Sequence, residues 1–139
     1  MNRSTFFSVF GWVAAIILII FFGFVGSIKF VGWHVEMTQN FLGYFERFGL
    51  NRELMAIVGA IETFSAVTLV LYRRHWIASY GALGIMITSI GAIGFHLIYD
   101  SVAEAIPAIT TYALSTYVFS QNLDILKAKF APKETTEEQ

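Results

Sequence analysis

Four apolar stretches, each long enough to cross a membrane, limit this chain to very few folds. They cover residues 6–28, 54–72, 76–99 and 105–123. Within them, Glu62 and His96 are the only acidic, basic or histidine side chains. A helix needs about 20 apolar residues to cross a hydrocarbon core of about 30 Å, and charged residues make up only 14% of the chain. The pattern therefore predicts an all-α integral membrane protein, a four-transmembrane-helix bundle that forms a single domain over residues 1–130.

The loop between the first and second stretches has a helical pattern of its own. In HVEMTQNFLGYFERFGLNRE, apolar side chains recur every three or four residues, at Met37, Phe41, Phe45 and Phe48. This spacing predicts a short amphipathic helix between spans one and two, lying at the interface or folded back onto the bundle. Gly49 suits its C-terminal end, and Asn51 suits the N-cap of the second span. A simple tether and a functional lid both fit the pattern.

The distribution of lysine and arginine predicts the orientation in the membrane. One side of the predicted bundle carries Arg3, Arg73, Arg74, Lys127, Lys129 and Lys133, and the other carries Lys29, Arg47 and Arg52. Because basic residues are enriched on the cytoplasmic side, both termini of this multi-pass chain are expected in the cytoplasm. The polar, acidic segment 131–139 is expected to be a disordered tail.

Glu62 is the residue that most needs an explanation, since a carboxylate near the bilayer centre costs about 2.5–3.5 kcal/mol on insertion scales. It lies about 12 Å below the outer boundary at 1.5 Å per residue. Side chains tilt toward the N-terminus of their helix, so Glu62 leans outward while Lys29 and His96 lean inward from their own spans. We therefore expect these three side chains to form one ligand-binding or proton-exchanging cluster. The alternatives are a snorkelling Lys29, an interfacial His96 and a purely structural Glu62 pair.

Small and hydroxyl-bearing residues are expected to support this cluster. Gly26 and Gly59 share a helical stripe with Lys29 and Glu62, respectively, while Ser89 and Thr111 lie on the third and fourth spans. Such residues let helix backbones approach closely where lipid offers no hydrophobic drive to association.

Several kinds of chemistry find no support in the sequence. The chain has no cysteine, which excludes disulfides and thiolate metal sites, and its net charge of −1 offers no basic field for nucleic acid. We expect no metal site, and His34 and His96 do not suit paired haem ligation because His34 lies in a loop. No self-contained catalytic or redox motif is present. Enzymatic activity therefore stays open, but an enzyme that works alone is not expected.

Three short segments are the most recognisable parts of the chain: FVGSIKF at 24–30, FERFGLNRELMAIVGAIETFSAV at 45–67 and GFHL at 94–97. In this order and spacing they resemble the DoxX-like family of small four-helix membrane proteins, over roughly residues 6–120. The resemblance implies a protein of the bacterial cytoplasmic (inner) membrane. It also implies a link to quinone-dependent oxidation and membrane oxidoreductase complexes, with Lys29, Glu62 and His96 on the family's polar positions.

Three functions are compatible with these features. The first is an accessory subunit that binds a lipophilic ligand, such as a quinone or a lipid, and docks on a membrane oxidoreductase. The second is a small proton-coupled transporter that uses Glu62, although a cation nearby would oppose protonation of that glutamate near neutral pH. The third is a purely structural subunit of a membrane complex. The expected partners are membrane lipids and either other membrane subunits or further copies of this chain.

Overall fold

A computed structural model describes residues 2–32 and 34–131, and in this part of the chain the fold consists of five α-helices and no β-strand. The predicted all-α class is thus confirmed. The helices are α1 (Arg3–Val31), α2 (Glu36–Arg47), α3 (Arg52–Leu69), α4 (Ile77–Tyr99) and α5 (Val102–Phe130). The predicted acidic tail lies outside the described residues from residue 132 onward.

The four long helices form a closed ring in which α1 packs on α3, α3 on α4, α4 on α5 and α5 on α1. Consecutive long helices run in opposite directions. Because α1 and α4 each pack between α3 and α5 in the ring, they stand on opposite corners of the bundle. The short helix α2 covers one end, where it contacts the end of α1 and the beginning of α3. We call this the α2 end; the opposite end carries the α3–α4 turn.

Two of the helices are long and apolar enough to cross a membrane: residues 5–31 of α1 and Ile77–Tyr99, which is α4. Large apolar side chains point outward from the bundle, such as Ile20 at 66% and Ile98 at 75% exposure. The interior contains small and hydroxyl-bearing residues, including Ala15, Ser79, Ala82, Ser89 and Ser115, beside larger apolar ones such as Leu18 and Ile85. This arrangement is typical of helices that associate within lipid, because small residues allow close backbone packing there.

The ends of the helices follow local sequence signals. Gly49 takes a positive φ of 74°, and the amide of Leu50 donates to the carbonyl of Phe45 at 2.8 Å, as in a helix-terminating Schellman motif. The Asn51 side chain accepts a hydrogen bond from the Leu54 amide and caps α3. Both features match the prediction.

Several helix boundaries differ from the predicted spans. The α3 helix ends at Leu69 rather than near residue 72, and residues 70–76 form a turn in which Arg73 has a φ of 56°. The α5 helix begins at Val102 because the Ser101 hydroxyl accepts a hydrogen bond from the Glu104 amide, and it continues to Phe130. Hydropathy alone misses both features, since a capping side chain sets one boundary and a turn the other.

Candidate functional site

The α1 and α3 helices approach most closely where two glycines face one another. A Cβ atom added at Gly59 would lie 2.7 Å from the carbonyl oxygen of Gly26 and 2.6 Å from Cβ of Lys29. A Cβ added at Gly26 would lie 2.8 Å from Cβ of Glu62. These distances are too short for any side chain larger than hydrogen. The two glycines therefore let the backbones meet and bring Lys29 beside Glu62.

Lys29 and Glu62 form an ion pair at this crossing. The Lys29 ammonium donates to both carboxylate oxygens of Glu62, at 3.0 Å to Oε1 and 2.9 Å to Oε2. Only 12% of the Lys29 side chain and 5% of the Glu62 side chain are exposed. Burying a carboxylate is unfavourable unless a cation and hydrogen bonds compensate it, and this geometry supplies both. The predicted contact between the two residues is therefore present.

Groups from the chain beyond α1 enclose the pair from the α2 end. The aromatic ring of Phe41 on α2 faces the Lys29 ammonium, with 5.3 Å between the nitrogen and the ring centroid. At the beginning of α3, the Arg52 guanidinium donates to the Lys29 carbonyl at 2.7 Å. The Thr38 hydroxyl, also on α2, donates to the Ile28 carbonyl at 3.3 Å and is fully buried. The amphipathic helix thus folds back onto the bundle and covers the ammonium group.

The predicted placement of His96 beside this pair does not match the structure. Its Nδ1 lies 2.7 Å from the carboxylate of Asp100, the residue that directly follows α4. Its ring packs edge-on against Phe48 and Tyr44 of the α2 segment. The reason is the order of the helices: α4 stands diagonally opposite α1, so His96 faces α2 rather than Lys29. Side-chain tilt predicts the end of the bundle at which His96 lies, but it cannot predict the corner.

Asp100 holds the second polar cluster of the α2 end. It accepts a hydrogen bond from Arg47 at 2.6 Å in addition to its contact with His96. The hydrogen bond from Arg47 lowers the pKa of Asp100 below its ordinary value; burial opposes the shift, and His96 adds to it. Asp100 thus stays ionised at neutral pH and attaches α2 to the end of α4.

Ser89 and Thr111 meet each other across α4 and α5. Their hydroxyl oxygens lie 2.9 Å apart, and Ser89 is buried. The Thr111 hydroxyl is also 3.0 Å from the carbonyl of Ala108. The two residues therefore join α4 to α5, whereas Gly26 and Gly59 join α1 to α3.

A groove of about 470 Å³ runs between α3 and α4 on the outside of the bundle. Its walls are mainly apolar and include Ile57, Ile61, Phe64, Tyr80, Gly81 and Gly84, with the hydroxyls of Ser65 and Thr68 also in the lining. Glu62 is not among the lining residues, since it faces α1. The groove and the ion pair therefore occupy different sides of α3.

A model of the DoxX-like family matches residues 13–118, which is more than half of the 139 residues of the chain. The chain belongs to the DoxX-like family. The match includes the ion pair, α2 and the α3–α4 groove, and together with the two candidate spans it indicates a small membrane protein. No curated protein and no solved structure gives a significant match.

Three contacts in this DoxX-like protein escaped the sequence analysis. Phe41 was assigned to the apolar face of α2, but nothing in the pattern related it to Lys29. Asp100 follows His96 by four residues, a spacing that could have suggested the pair on one helix. Asn122 is 1% exposed and binds the α3–α4 turn, and the amide pair Gln121-Asn122 near the end of an apolar stretch was the available signal.

Within residues 2–32 and 34–131, no three histidine, aspartate or glutamate side chains lie close enough together to hold a metal ion. His96 and Asp100 form a pair without a third such group.

Proposed function

We propose that this protein is an accessory subunit of the bacterial inner membrane that binds a lipophilic molecule of the quinone type in the α3–α4 groove. The observation that carries the proposal is the groove itself. Its volume of about 470 Å³ lies within the usual range of roughly 300–1,000 Å³ for small-molecule sites. Aromatic rings and aliphatic side chains form most of its lining. The Thr68 hydroxyl already donates to the Ser65 carbonyl at 2.9 Å, so the Ser65 hydroxyl is the proposed donor to a ring carbonyl.

This proposal includes a four-span arrangement in which α3 and α5 cross the membrane with α1 and α4. At 1.5 Å per residue, the 18 residues of α3 reach about 27 Å, close to the hydrocarbon thickness. The α3 helix packs between α1 and α4, and its outward side chains, such as Phe64 and Val67, are apolar and more than 60% exposed. Lipid is the environment in which such a surface is stable.

The proposed orientation has both termini in the cytoplasm and the α2 end outside. In the described residues, five basic residues, Arg3, Arg73, Arg74, Lys127 and Lys129, belong to the turn end, against three, Lys29, Arg47 and Arg52, at the α2 end. Basic residues favour the cytoplasmic side. Attachment of a membrane-impermeant reagent to single cysteines introduced at Gly43 and at Arg74 in intact cells tests this orientation. The Gly43 site should react from outside, and the Arg74 site should not.

The quinone-binding proposal is tested with purified protein in mild detergent and a short-tailed benzoquinone as probe. Ile61→Trp fills the groove, and Ile20→Trp is the matched control, because Ile20 is an exposed residue of α1 outside the groove. We expect at least about tenfold weaker quinone binding for Ile61→Trp, since the added ring excludes the ligand from its site. Equal binding by both variants, or no quinone binding by the unmodified protein, would contradict the proposal.

The accessory role requires a partner chain that supplies electrons, because no redox group is recognisable in this sequence. Mild-detergent purification with mass spectrometry of the eluate should recover a membrane oxidoreductase together with a quinone. Recovery of a homo-oligomer that carries phospholipid alone would argue against the role.

The second candidate function is that of a purely structural subunit. It is favoured by the burial of the Lys29–Glu62 pair, whose side chains are only 12% and 5% exposed. Its ammonium and carboxylate already satisfy one another, and Phe41 covers them. Exchanging the charges with Lys29→Glu and Glu62→Lys keeps an ion pair at the α1–α3 crossing. Full partner assembly in this double variant would limit the pair to a structural role, and a lack of quinone binding by the unmodified protein would favour the structural subunit.

A further inference from the structure

The turn end of the bundle carries basic side chains next to aromatic ones. Residues 70–76 and 121–131 together contain four basic residues, Arg73, Arg74, Lys127 and Lys129, against one acidic residue, Asp124. All four basic side chains are exposed. We use the name basic face for Arg73, Arg74, Trp76 and Lys129.

A buried amide fixes the geometry of the turn that carries this face. Asn122 of α5 accepts a hydrogen bond from the Arg73 amide at 2.9 Å and donates to the Ser79 hydroxyl at 2.8 Å. It also donates to the carbonyl of His75 at 3.4 Å. These bonds hold Arg73 in its left-handed conformation, with a φ of 56°. The two consecutive arginines are therefore presented by a defined backbone rather than by a loose loop.

Trp76 connects this turn to the C-terminal part of α5. The Lys129 ammonium lies 5.6 Å from the centroid of the Trp76 ring, and Phe130 packs edge-on against the same ring. Tyr80 packs against Trp76 from α4. Tryptophan and tyrosine concentrate at the boundary between lipid and water. The basic groups consequently lie at the depth where phospholipid headgroups are expected.

The charges of the basic face are not compensated by the ion pairs that the structure describes. Those pairs, Lys29–Glu62, Arg47–Asp100 and His96–Asp100, all lie at the α2 end. The Arg73 guanidinium contacts Gln121, a neutral side chain, at 3.3 Å. An anionic group from outside the bundle would therefore meet unneutralised cations next to an apolar rim.

We propose that the basic face binds the phosphate headgroup of an anionic phospholipid such as phosphatidylglycerol. Clusters of basic residues beside membrane-spanning helices recognise anionic headgroups in this way, while the aromatic rim contacts the upper part of the acyl chains. The proposal rests on the four-span arrangement proposed above, but not on quinone binding. Arg73 and Arg74 hold the phosphate, and Lys129 approaches it from α5.

Native mass spectrometry of the full chain in detergent, titrated with phosphatidylglycerol or phosphatidylcholine, tests the proposal. We expect tighter binding of phosphatidylglycerol, and about five- to twenty-five-fold weaker binding of it by the double variant Arg73→Gln, Arg74→Gln. Phosphatidylcholine binding should not change. The charge-preserving variant Arg73→Lys, Arg74→Lys should restore most of the affinity; with both variants folded by circular dichroism, this recovery assigns the loss in the glutamine variant to charge.

Lys127→Gln is the matched control, because it removes the same charge two residues before Lys129 in sequence. At 100° per residue, residues 127 and 129 point about 200° apart on α5. We expect this control to keep its preference for phosphatidylglycerol. A loss for Lys127→Gln as large per charge removed as that of the arginine double variant would show a diffuse charge effect and overturn the proposal.

Two further experiments distinguish the lipid from other occupants of the basic face. Glycerol phosphate added as competitor should not displace the lipid; full displacement would show a site for the free anion and overturn the proposal. A chain that ends at Ala131 lacks Glu134, Glu137 and Glu138 of the acidic segment. It should bind phosphatidylglycerol as the full chain does. If the lipid binds only after this truncation, the chain's own acidic segment is the occupant, and the proposal is wrong.

Discussion

Removing either partner of the Lys29–Glu62 pair should destabilise the bundle, and the two removals should not be additive. Each charge-assisted hydrogen bond of the pair contributes about 1.5–3 kcal/mol. Lys29→Met removes both bonds and leaves a carboxylate that is 5% exposed without its cation. We expect a loss of about 3–5 kcal/mol in the free energy of unfolding, the range for breaking a buried ion pair.

Glu62→Gln should cost less, about 1–3 kcal/mol, because the amide still accepts a hydrogen bond. The Lys29 side chain, 12% exposed, can also extend toward the headgroups once its partner is neutral. The double variant contains neither charge and should lose less than the sum of the two single losses. The resulting coupling energy is expected to be about 2 kcal/mol or more.

These free energies can be measured by unfolding the protein from mixed micelles with sodium dodecyl sulfate while following circular dichroism. Lys127→Met is a suitable control, since it removes an exposed lysine at the opposite end and should change stability by less than about 0.5 kcal/mol. A coupling energy below about 0.5 kcal/mol would refute the reasoning, because residues that act independently add within that margin.

Three further perturbations test other contacts. Gly59→Ala should separate α1 from α3 and destabilise the bundle by about 1–3 kcal/mol. A Cβ atom added at Gly91 meets no atom within 4 Å, so Gly91→Ala should be neutral or slightly stabilising in the same unfolding assay. Asn122→Leu should cost about 1–3 kcal/mol, since the Arg73 amide loses its acceptor; a stability equal to that of the unmodified protein would rule out the proposed role of the amide. The hydrogen bond from Arg47 lowers the pKa of Asp100 from its ordinary value of 3.8. The contact therefore stabilises the attachment of α2 fully when the pH is above 3.8, and this stabilisation is lost as the pH falls through the lowered pKa of the folded protein. In the unmodified protein, hydrogen exchange of the α2 amides, corrected for the intrinsic rate, should therefore stay slow down to about pH 4. In the Asp100→Asn variant, the same amides should already exchange fast at neutral pH.

The sequence was sufficient to predict the Lys29–Glu62 contact because two kinds of signal agreed. Side-chain tilt placed both groups at one depth, and the glycine stripes with Gly26 and Gly59 indicated where α1 and α3 could meet. The end of α2 at Gly49 and the cap at Asn51 were predictable for a similar reason, since each depends on residues close in the chain.

The placement of His96 could not be predicted, because it depends on the order of the helices around the ring. All four long helices are apolar on most of their surface, so hydropathy does not distinguish the side that faces α1 from the side that faces lipid. The contact of Phe41 with Lys29 and the three hydrogen bonds of Asn122 likewise join segments distant in sequence. Such contacts follow from packing, for which a single sequence carries little signal.

The most direct test of the α1–α3 crossing is disulfide formation between cysteines introduced at Gly23 and Ala66. A Cβ at Gly23 would lie 3.9 Å from Cβ of Ala66, within the range of about 3.5–4.5 Å found in disulfides. The chain has no cysteine of its own, so mild oxidation in membranes reports on this pair alone. The account predicts rapid cross-linking within one chain for Gly23→Cys with Ala66→Cys, and little for Gly91→Cys with Ala66→Cys. Failure of the first pair to cross-link, or equal cross-linking of both pairs, would contradict the crossing that brings Lys29 to Glu62.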